Sequence, residues 1–315
     1  MIDIFGTLGP ACAKAETLEE MLRLGMTGVR LNLSHMTLPE AAPLAEALHR
    51  AAQRSGVQPK LLIDMQGPEL RVGRFPEPLK LPEGGRIAVE TLRLPKAAAE
   101  LLCPGQEILL DDGKLLLACE TAETARVERG GTLYSRKSAA LPGRELSLPA
   151  LTEADRANLA LAKEYGVTGV MQPFVRSRAD LEDVRAALPA GLRLYAKIEN
   201  LAGVSRLEEI LEGADEIVIA RGDLGNAVPL WELPMLQKRI SALCRRRGVP
   251  FMVVTQMLAS MEHSPVPTRA EVSDICNAVL DGASSVMVTG ETAVGDHPVE
   301  VIRYLVNTVR ASERI

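Results

Sequence analysis

Leu192-Arg-Leu-Tyr-Ala-Lys-Ile-Glu-Asn200 and, further on, Glu216-Ile-Val-Ile-Ala-Arg-Gly-Asp223 decide how this chain is read. Each opens on a short apolar run, Leu192–Ala196 and Glu216–Ala220, and each run stops at charge. Lys197 and Glu199 are two residues apart, so on an extended strand they face the same side. The 24 residues from Glu199 to Asp223 allow one strand-helix-strand step. Two neighbouring parallel strands would then deliver both carboxylates to one edge. Such a pair suits a hard divalent cation, since Mg²⁺ takes few protein ligands and keeps room for substrate oxygens. Lys197 adds a positive point charge for an anionic substrate. Taken alone, the pair reads better as solvated charges at strand ends, so the rest of the chain has to decide.

Working outward, the same rhythm recurs. Residues 2–6, Gly28–Leu33 and Lys60–Met65 read as strands, with helices over Glu16–Leu24 and Pro39–Arg54. After residue 150 a helix is expected over Thr152–Glu164, with Thr152 as N-cap and Asp155 at the capping-box position. There follow strand Thr168–Gln172, helix Arg178–Leu188, strand Leu192–Ala196, helix Ser205–Leu211 and strand Glu216–Ala220. A loop leads to helix Leu233–Arg247, then strand Pro250–Val254, helix Arg269–Leu280, strand Ser284–Val288 and helix Pro298–Val309. Eight strands, each followed by a helix, make the pattern of an α/β (β/α)₈ TIM barrel. A doubly wound open sheet is the alternative, weakened by the lack of a Gly-rich dinucleotide turn.

Between residues 72 and 148 the alternation stops. Pro/Gly turns separate short β-like runs, and Asp111-Asp112-Gly113 between two Leu-rich stretches signals a hairpin. These 77 residues read as a small β-barrel-like lid domain inserted after the third strand, with the catalytic barrel over 1–71 and 149–315. The Leu92–Leu102 run is expected to form its core.

A chain of 315 residues buries enough surface to need no disulfides, and its five scattered cysteines are expected to be reduced thiols in packing positions. The net charge of −5 argues against nucleic acid as a partner. No apolar run approaches a membrane span, and the N-terminus has no signal-peptide pattern, so a cytoplasmic location is expected. Homo-oligomerisation is left open.

Barrel enzymes keep their chemistry at the C-terminal ends of the strands. There this chain places Arg30, Asn32, Ser34 and His35 after strand two, and Asp64, Glu69 and Arg71 after strand three. Arg176 follows strand four, Lys197 and Glu199 strand five, Arg221 and Asp223 strand six, and Glu291 strand eight. The opposite ends carry mostly Gly, Pro and small polar residues. That asymmetry points to a phosphorylated or carboxylated metabolite as ligand.

Several stretches resemble pyruvate kinases closely: Thr7-Leu-Gly-Pro-Ala11, Val29-Arg-Leu-Asn-Leu-Ser-His35, Gly67-Pro-Glu-Leu-Arg71 and Leu148-Pro-Ala-Leu-Thr-Glu-Ala-Asp155. Phe174-Val-Arg176, Lys197-Ile-Glu-Asn200, Ala220-Arg-Gly-Asp-Leu-Gly225, Pro267–Asp274 and Gly290-Glu-Thr-Ala293 continue the match along the whole chain. The resemblance implies phosphoryl transfer from phosphoenolpyruvate to ADP, yielding pyruvate and ATP in glycolysis, with Mg²⁺ (or Mn²⁺) and K⁺. It implies Glu199 and Asp223 on Mg²⁺, Lys197 facing the phosphoryl group, and Arg30 on phosphoenolpyruvate. Gly222 and Asp223 would offer N–H groups to the substrate carboxylate, and Thr255 would help to deliver a proton to the enolate carbon. Asn32, Ser34, Asp64 and the Met65 carbonyl match the K⁺ site, and His35, Arg71 and Lys137 match nucleotide contacts.

The chain departs from the family pattern at Met65 and Gln66, where threonine and lysine are usual, at Pro173 in place of serine, and at Met36 in place of glycine. It ends at Ile315, so the family's C-terminal effector domain is expected to be absent. Two rival readings stand beside the kinase. One is a metal-dependent lyase or aldolase acting through pyruvate enolate, which would not need Lys137, His35 or the insertion. The other is a non-catalytic paralogue that senses phosphoenolpyruvate. Arg176 is expected in a rim salt bridge, His263 and His297 in solvent, and Trp231 as a packing or interface anchor. Asn200, Gln256, Asn277 and Glu291 are expected to brace their neighbours.

Overall fold

The computed structural model describes residues 2–34, 36–111, 113–144 and 148–314. Eight parallel strands close a barrel: β1 (Asp3–Thr7), β2 (Gly28–Asn32), β3 (Lys60–Asp64), β4 (Gly169–Gln172), β5 (Arg193–Ile198), β6 (Glu216–Ala220), β7 (Phe251–Val254) and β8 (Ser285–Met287). Each strand pairs with the next, and β8 closes on β1 with Ser285 opposite Asp3. The fold is the (β/α)₈ barrel expected from the sequence.

The strands are apolar because both of their faces are covered, which is why Glu216–Ala220 is buried throughout. Phe5, Leu62, Met171, Tyr195, Val218, Met252 and Met287 form one buried cluster drawn from seven strands. Parallel register then brings the strand ends level. Asn32 lies opposite Asp64, and Lys197 opposite Val218.

The chain divides into two compact units. One comprises Met1–Gly67, Ala150–Arg221 and Leu233–Ile315; the other comprises Pro68–Pro149 and Gly222–Glu232. The second holds a five-stranded antiparallel sheet and a two-stranded one, Leu79–Leu81 with Gly131–Leu133. Strands Glu107–Leu110 and Leu115–Cys119 form the expected hairpin, whose Asp112 lies outside the described residues. Leu92, Leu102, Ile108, Leu117, Val127 and Leu133 belong to its core.

Local structure departs from the sequence reading in four places. β5 runs on to Ile198, so Lys197 is inside the strand. The helix expected at Ser205–Leu211 is two short ones, Leu201–Ser205 and Leu207–Leu211. Asn200 caps the first by accepting from the Gly203 N–H at 2.8 Å, and Arg206 breaks the run at φ −107°, ψ 21°. The loop expected after β6 begins with helix Arg221–Ala227, concealed by Gly222 and Gly225, both poor helix formers. The second helix starts at Ala42 and not at Pro39.

Thr152 and Asp155 form the expected capping box on helix Glu153–Leu161. All five cysteines are free. Among the described residues, no helix is long and apolar enough to cross a membrane.

Candidate active site

β2, β3 and β5 each contribute one charge to the mouth of the barrel. Arg30 Nε donates to Asp64 Oδ2 at 2.8 Å and Arg30 Nη2 lies 2.7 Å from the same oxygen. Lys197 Nζ reaches Asp64 at 3.2 and 3.4 Å and lies 3.4 Å from Glu199 Oε2. The Asp64 and Glu199 side chains are 3% and 1% exposed, and Arg30 and Lys197 only 13% and 14%. The four charges therefore interact with little screening by water. Burial pushes the Asp64 carboxyl up, but the Lys197 and Arg30 charges and their hydrogen bonds outweigh it and hold it below the usual carboxylate range.

Glu199 is oriented by an acceptor bond from the Phe174 N–H to Oε1 at 2.7 Å. Phe174 itself sits at φ +53°, in the left-handed region. Backbone strain in non-glycine residues gathers at functional sites, and Thr255 (φ +82°) and Gln256 (φ +55°) repeat it at the end of β7. Arg221 donates to the Thr255 carbonyl, at 2.7 Å from Nη2.

On β2, the Asn32 Oδ1 accepts from the Ser34 N–H at 3.2 Å and the Ser34 hydroxyl at 2.8 Å. Asp64 lies opposite Asn32, so a carboxamide, a hydroxyl and a carboxylate stand at adjacent strand ends. The Met65 N–H donates to Met171 O at 3.1 Å, which orients the Met65 peptide. Beyond it, Asp155 accepts from the Gln66 N–H at 2.8 Å and the Gly67 N–H at 3.0 Å. Gly67 has φ +59°, and a Cβ there would meet Pro173 Cγ at 2.3 Å, so only glycine fits.

The other candidates sit on further elements. Gly222 and Asp223 occupy the first turn of helix Arg221–Ala227. In the second unit, Arg71 pairs with Glu69 at 2.6 Å and Lys137 with Asp111 at 2.7 Å. His35 lies outside the described residues. Arg176 makes its salt bridge with Asp180 at 2.8 Å, and His263 is exposed beside Asp296. Trp231 is 80% exposed, so it does not serve as a packing anchor within the chain. Glu291 braces the loop after β7 through the Leu258 N–H at 3.1 Å and the turn after β8 through the Thr289 N–H at 2.6 Å. Asn200 braces Val175 O at 3.2 Å.

Sequence reasoning missed the second role of Asp155, the grip of Arg221, and Glu271, which accepts from the Ser260 N–H at 2.7 Å and hydroxyl at 2.6 Å. The capping-box spacing marks Asp155 as a cap but carries no sign of its distant partners, and Glu271 reads only as part of helix Arg269–Leu280.

A barrel whose mouth holds a nearly dry lysine and arginine between two carboxylates is the site of a phosphotransferase: cations placed for an anionic group, and acids for a metal. Comparison with known proteins agrees. The family model described as pyruvate kinase, barrel domain, matches residues 1–302. The chain is 40% identical to a pyruvate kinase of Corynebacterium efficiens, over 98% of this chain and 69% of that protein. It is 41% identical to one of Methylorubrum extorquens, over 95% and 66%, and 39% identical to one of Aeropyrum pernix, over 96% and 69%. It spans about two thirds of the length of these relatives. The chain belongs to the pyruvate kinase family.

That family works with a divalent cation and with K⁺, and the residues here fit both. Glu199 offers a buried, oriented carboxylate, the hard donor that Mg²⁺ prefers. Among the described residues, no three His, Cys, Asp or Glu side chains gather as a metal site. The oxygens of Asn32, Ser34 and Asp64 suit a monovalent cation.

Proposed function

We propose that this chain transfers the phosphoryl group of phosphoenolpyruvate to ADP, giving pyruvate and ATP, as a glycolytic enzyme of the cytoplasm. The observation that carries the reading is Lys197, set between Asp64 and Glu199 beside Arg30 in a nearly dry barrel mouth.

Phosphoryl transfer asks for positioning and charge neutralisation more than covalent chemistry. Arg30 binds the phosphate of phosphoenolpyruvate. Lys197 meets the phosphoryl oxygens as they pass to the ADP oxygen. Glu199 and Asp223 hold Mg²⁺, which when bound neutralises phosphate charge. The N–H groups of Gly222 and Asp223 take the substrate carboxylate. Asn32, Ser34, Asp64 and the Met65 carbonyl hold K⁺. His35, Arg71 and Lys137 contact the nucleotide.

As the P–O bond to the substrate breaks, its electron pair stays on the oxygen and leaves pyruvate enolate. The enolate carbon then takes a proton, delivered with the help of Thr255, and the carbonyl of pyruvate forms.

A coupled assay for pyruvate, with ADP and with or without Mg²⁺, tests the reading. Activity that needs both is expected. Asp223→Asn should abolish turnover while the fold persists, and activity within about tenfold of the parent would remove Asp223 from the metal site.

A further inference from the structure

Thr255 leaves β7 at φ +82° and Gln256 follows at +55°. A β-branched residue in this region is a genuine outlier and is strained. It persists only where its surroundings hold it. Arg221 supplies that hold: Nη2 and Nε both donate to the Thr255 carbonyl, at 2.7 and 3.1 Å. The opposite edge of the guanidinium is anchored in turn. Nη1 donates to both oxygens of Asp274, at 2.9 and 2.7 Å, and lies 3.4 Å from Gln237 Oε1, while Nη2 lies 3.0 Å from Met257 Sδ.

An ordinary surface ion pair explains little of this. The Arg221 side chain is 11% exposed, and its planar fork spans a backbone carbonyl and a carboxylate that come from different elements. Glu291 and Glu271 pin the same loop further along, at Leu258 and Ser260. Arg221 grips the strained residue itself.

We propose that Arg221 is a positioning residue for Thr255: by locking the Thr255 carbonyl against Asp274, it fixes the backbone from which the Thr255 hydroxyl projects for proton delivery to the enolate carbon. The inference rests on that reading of Thr255. Misplacement by about 1 Å costs on the order of 10²-fold in rate, so a loosened clamp should be visible in the proton step.

The test isolates that step. Uptake of solvent deuterium into the methyl group of pyruvate, in the presence of Mg²⁺, K⁺ and ATP, runs through the same enolate. Arg221→Lys keeps the charge but cannot make the fork. It should slow both deuterium uptake and kcat by about 10- to 100-fold while KM for phosphoenolpyruvate moves little. Thr255→Ala should slow uptake likewise, and the double variant should be no slower than Thr255→Ala alone, as coupled residues require. Additive losses in the double variant would overturn the role of Arg221 and leave Thr255 in place. A Thr255→Ala protein that exchanges at the parent rate would instead overturn the reading of Thr255, and the proposal with it. Should Arg221→Lys fail to fold, Asp274→Asn frees the other side of the guanidinium and carries the same cycle, with the same two outcomes.

Discussion

The ammonium group of Lys197 lies 3.2 Å from Asp64 Oδ2, the same oxygen that Arg30 holds at 2.7 Å. Lys197 is on β5 and Asp64 on β3, with β4 between them, so the contact reaches over one strand and rests on the parallel pairing of these three. Lys197 is thereby set in place before any substrate arrives. Lys197→Gln should lower kcat by about 10²–10³-fold, the scale for losing one preorganised charge. Steady-state kinetics beside a far-UV spectrum check this, and a loss below about threefold would remove Lys197 from the chemistry.

Asp64 should matter to stability as well. Asp64→Asn leaves two nearly buried cations short of a partner, at an expected cost of about 3–5 kcal/mol in chemical denaturation. The folded carboxyl titrates below its unfolded value of about 3.9. Its stabilisation is therefore present above that pH and lost as pH falls through the folded value. The variant should show a shallower acid limb, and an unchanged limb would contradict the pairing.

The far end of the barrel gives the opposite sign. Burial pushes the Glu216 carboxyl up, and hydrogen bonds from Ser285 and Ser284 and the Arg193 charge only partly offset it. A raised carboxyl stabilises the fold below its unfolded value of about 4.3, and that contribution is lost as pH rises through the folded value. Glu216→Gln mimics the protonated form. Its melting temperature should exceed the parent's at about pH 8 and match it at about pH 4. Equal melting at both pH values would show that the charge carries no penalty.

Asp155 joins two segments far apart in sequence. It caps its own helix through the Thr152 N–H and hydroxyl, and accepts from the N–H groups of Gln66 and Gly67. Asp155→Ala should cost about 1 kcal/mol for the cap and about 1–3 kcal/mol for each N–H left unmet. A total loss near 1 kcal/mol in urea would mean that only the cap matters.

Potassium dependence is the expected outcome if the oxygens at the ends of β2 and β3 hold K⁺ as proposed. Glu69, Asn32, Ser34 and Asp64 are all present, and the pyruvate kinase pattern with glutamate at the position of Glu69 accompanies a need for K⁺. Turnover should fall sharply when K⁺ is replaced by tetramethylammonium, and Asn32→Ala should raise the K⁺ concentration for half-maximal rate. Equal rates in the two cations would refute the site.

The sequence alone determined the eight strand-helix units and their order, because a strand covered on both faces must read as an apolar run, and most of the runs here stop at charge. It also determined the interruption after β3, the capping box at Thr152, and the candidate charges Arg30, Asp64, Lys197 and Glu199. Only the tertiary structure decided what those charges touch. Glu199 is aimed by the backbone of Phe174, 25 residues away; Asp155 reaches back 88 and 89 residues; and Arg221 clamps a carbonyl 34 residues on. None of these pairings leaves a local period or spacing, because each arises when the pairing of neighbouring parallel strands brings segments distant in sequence together. Short helices such as Arg221–Ala227 escaped for a related reason: too short to carry a hydrophobic repeat, they are held by their position after a strand and not by propensity.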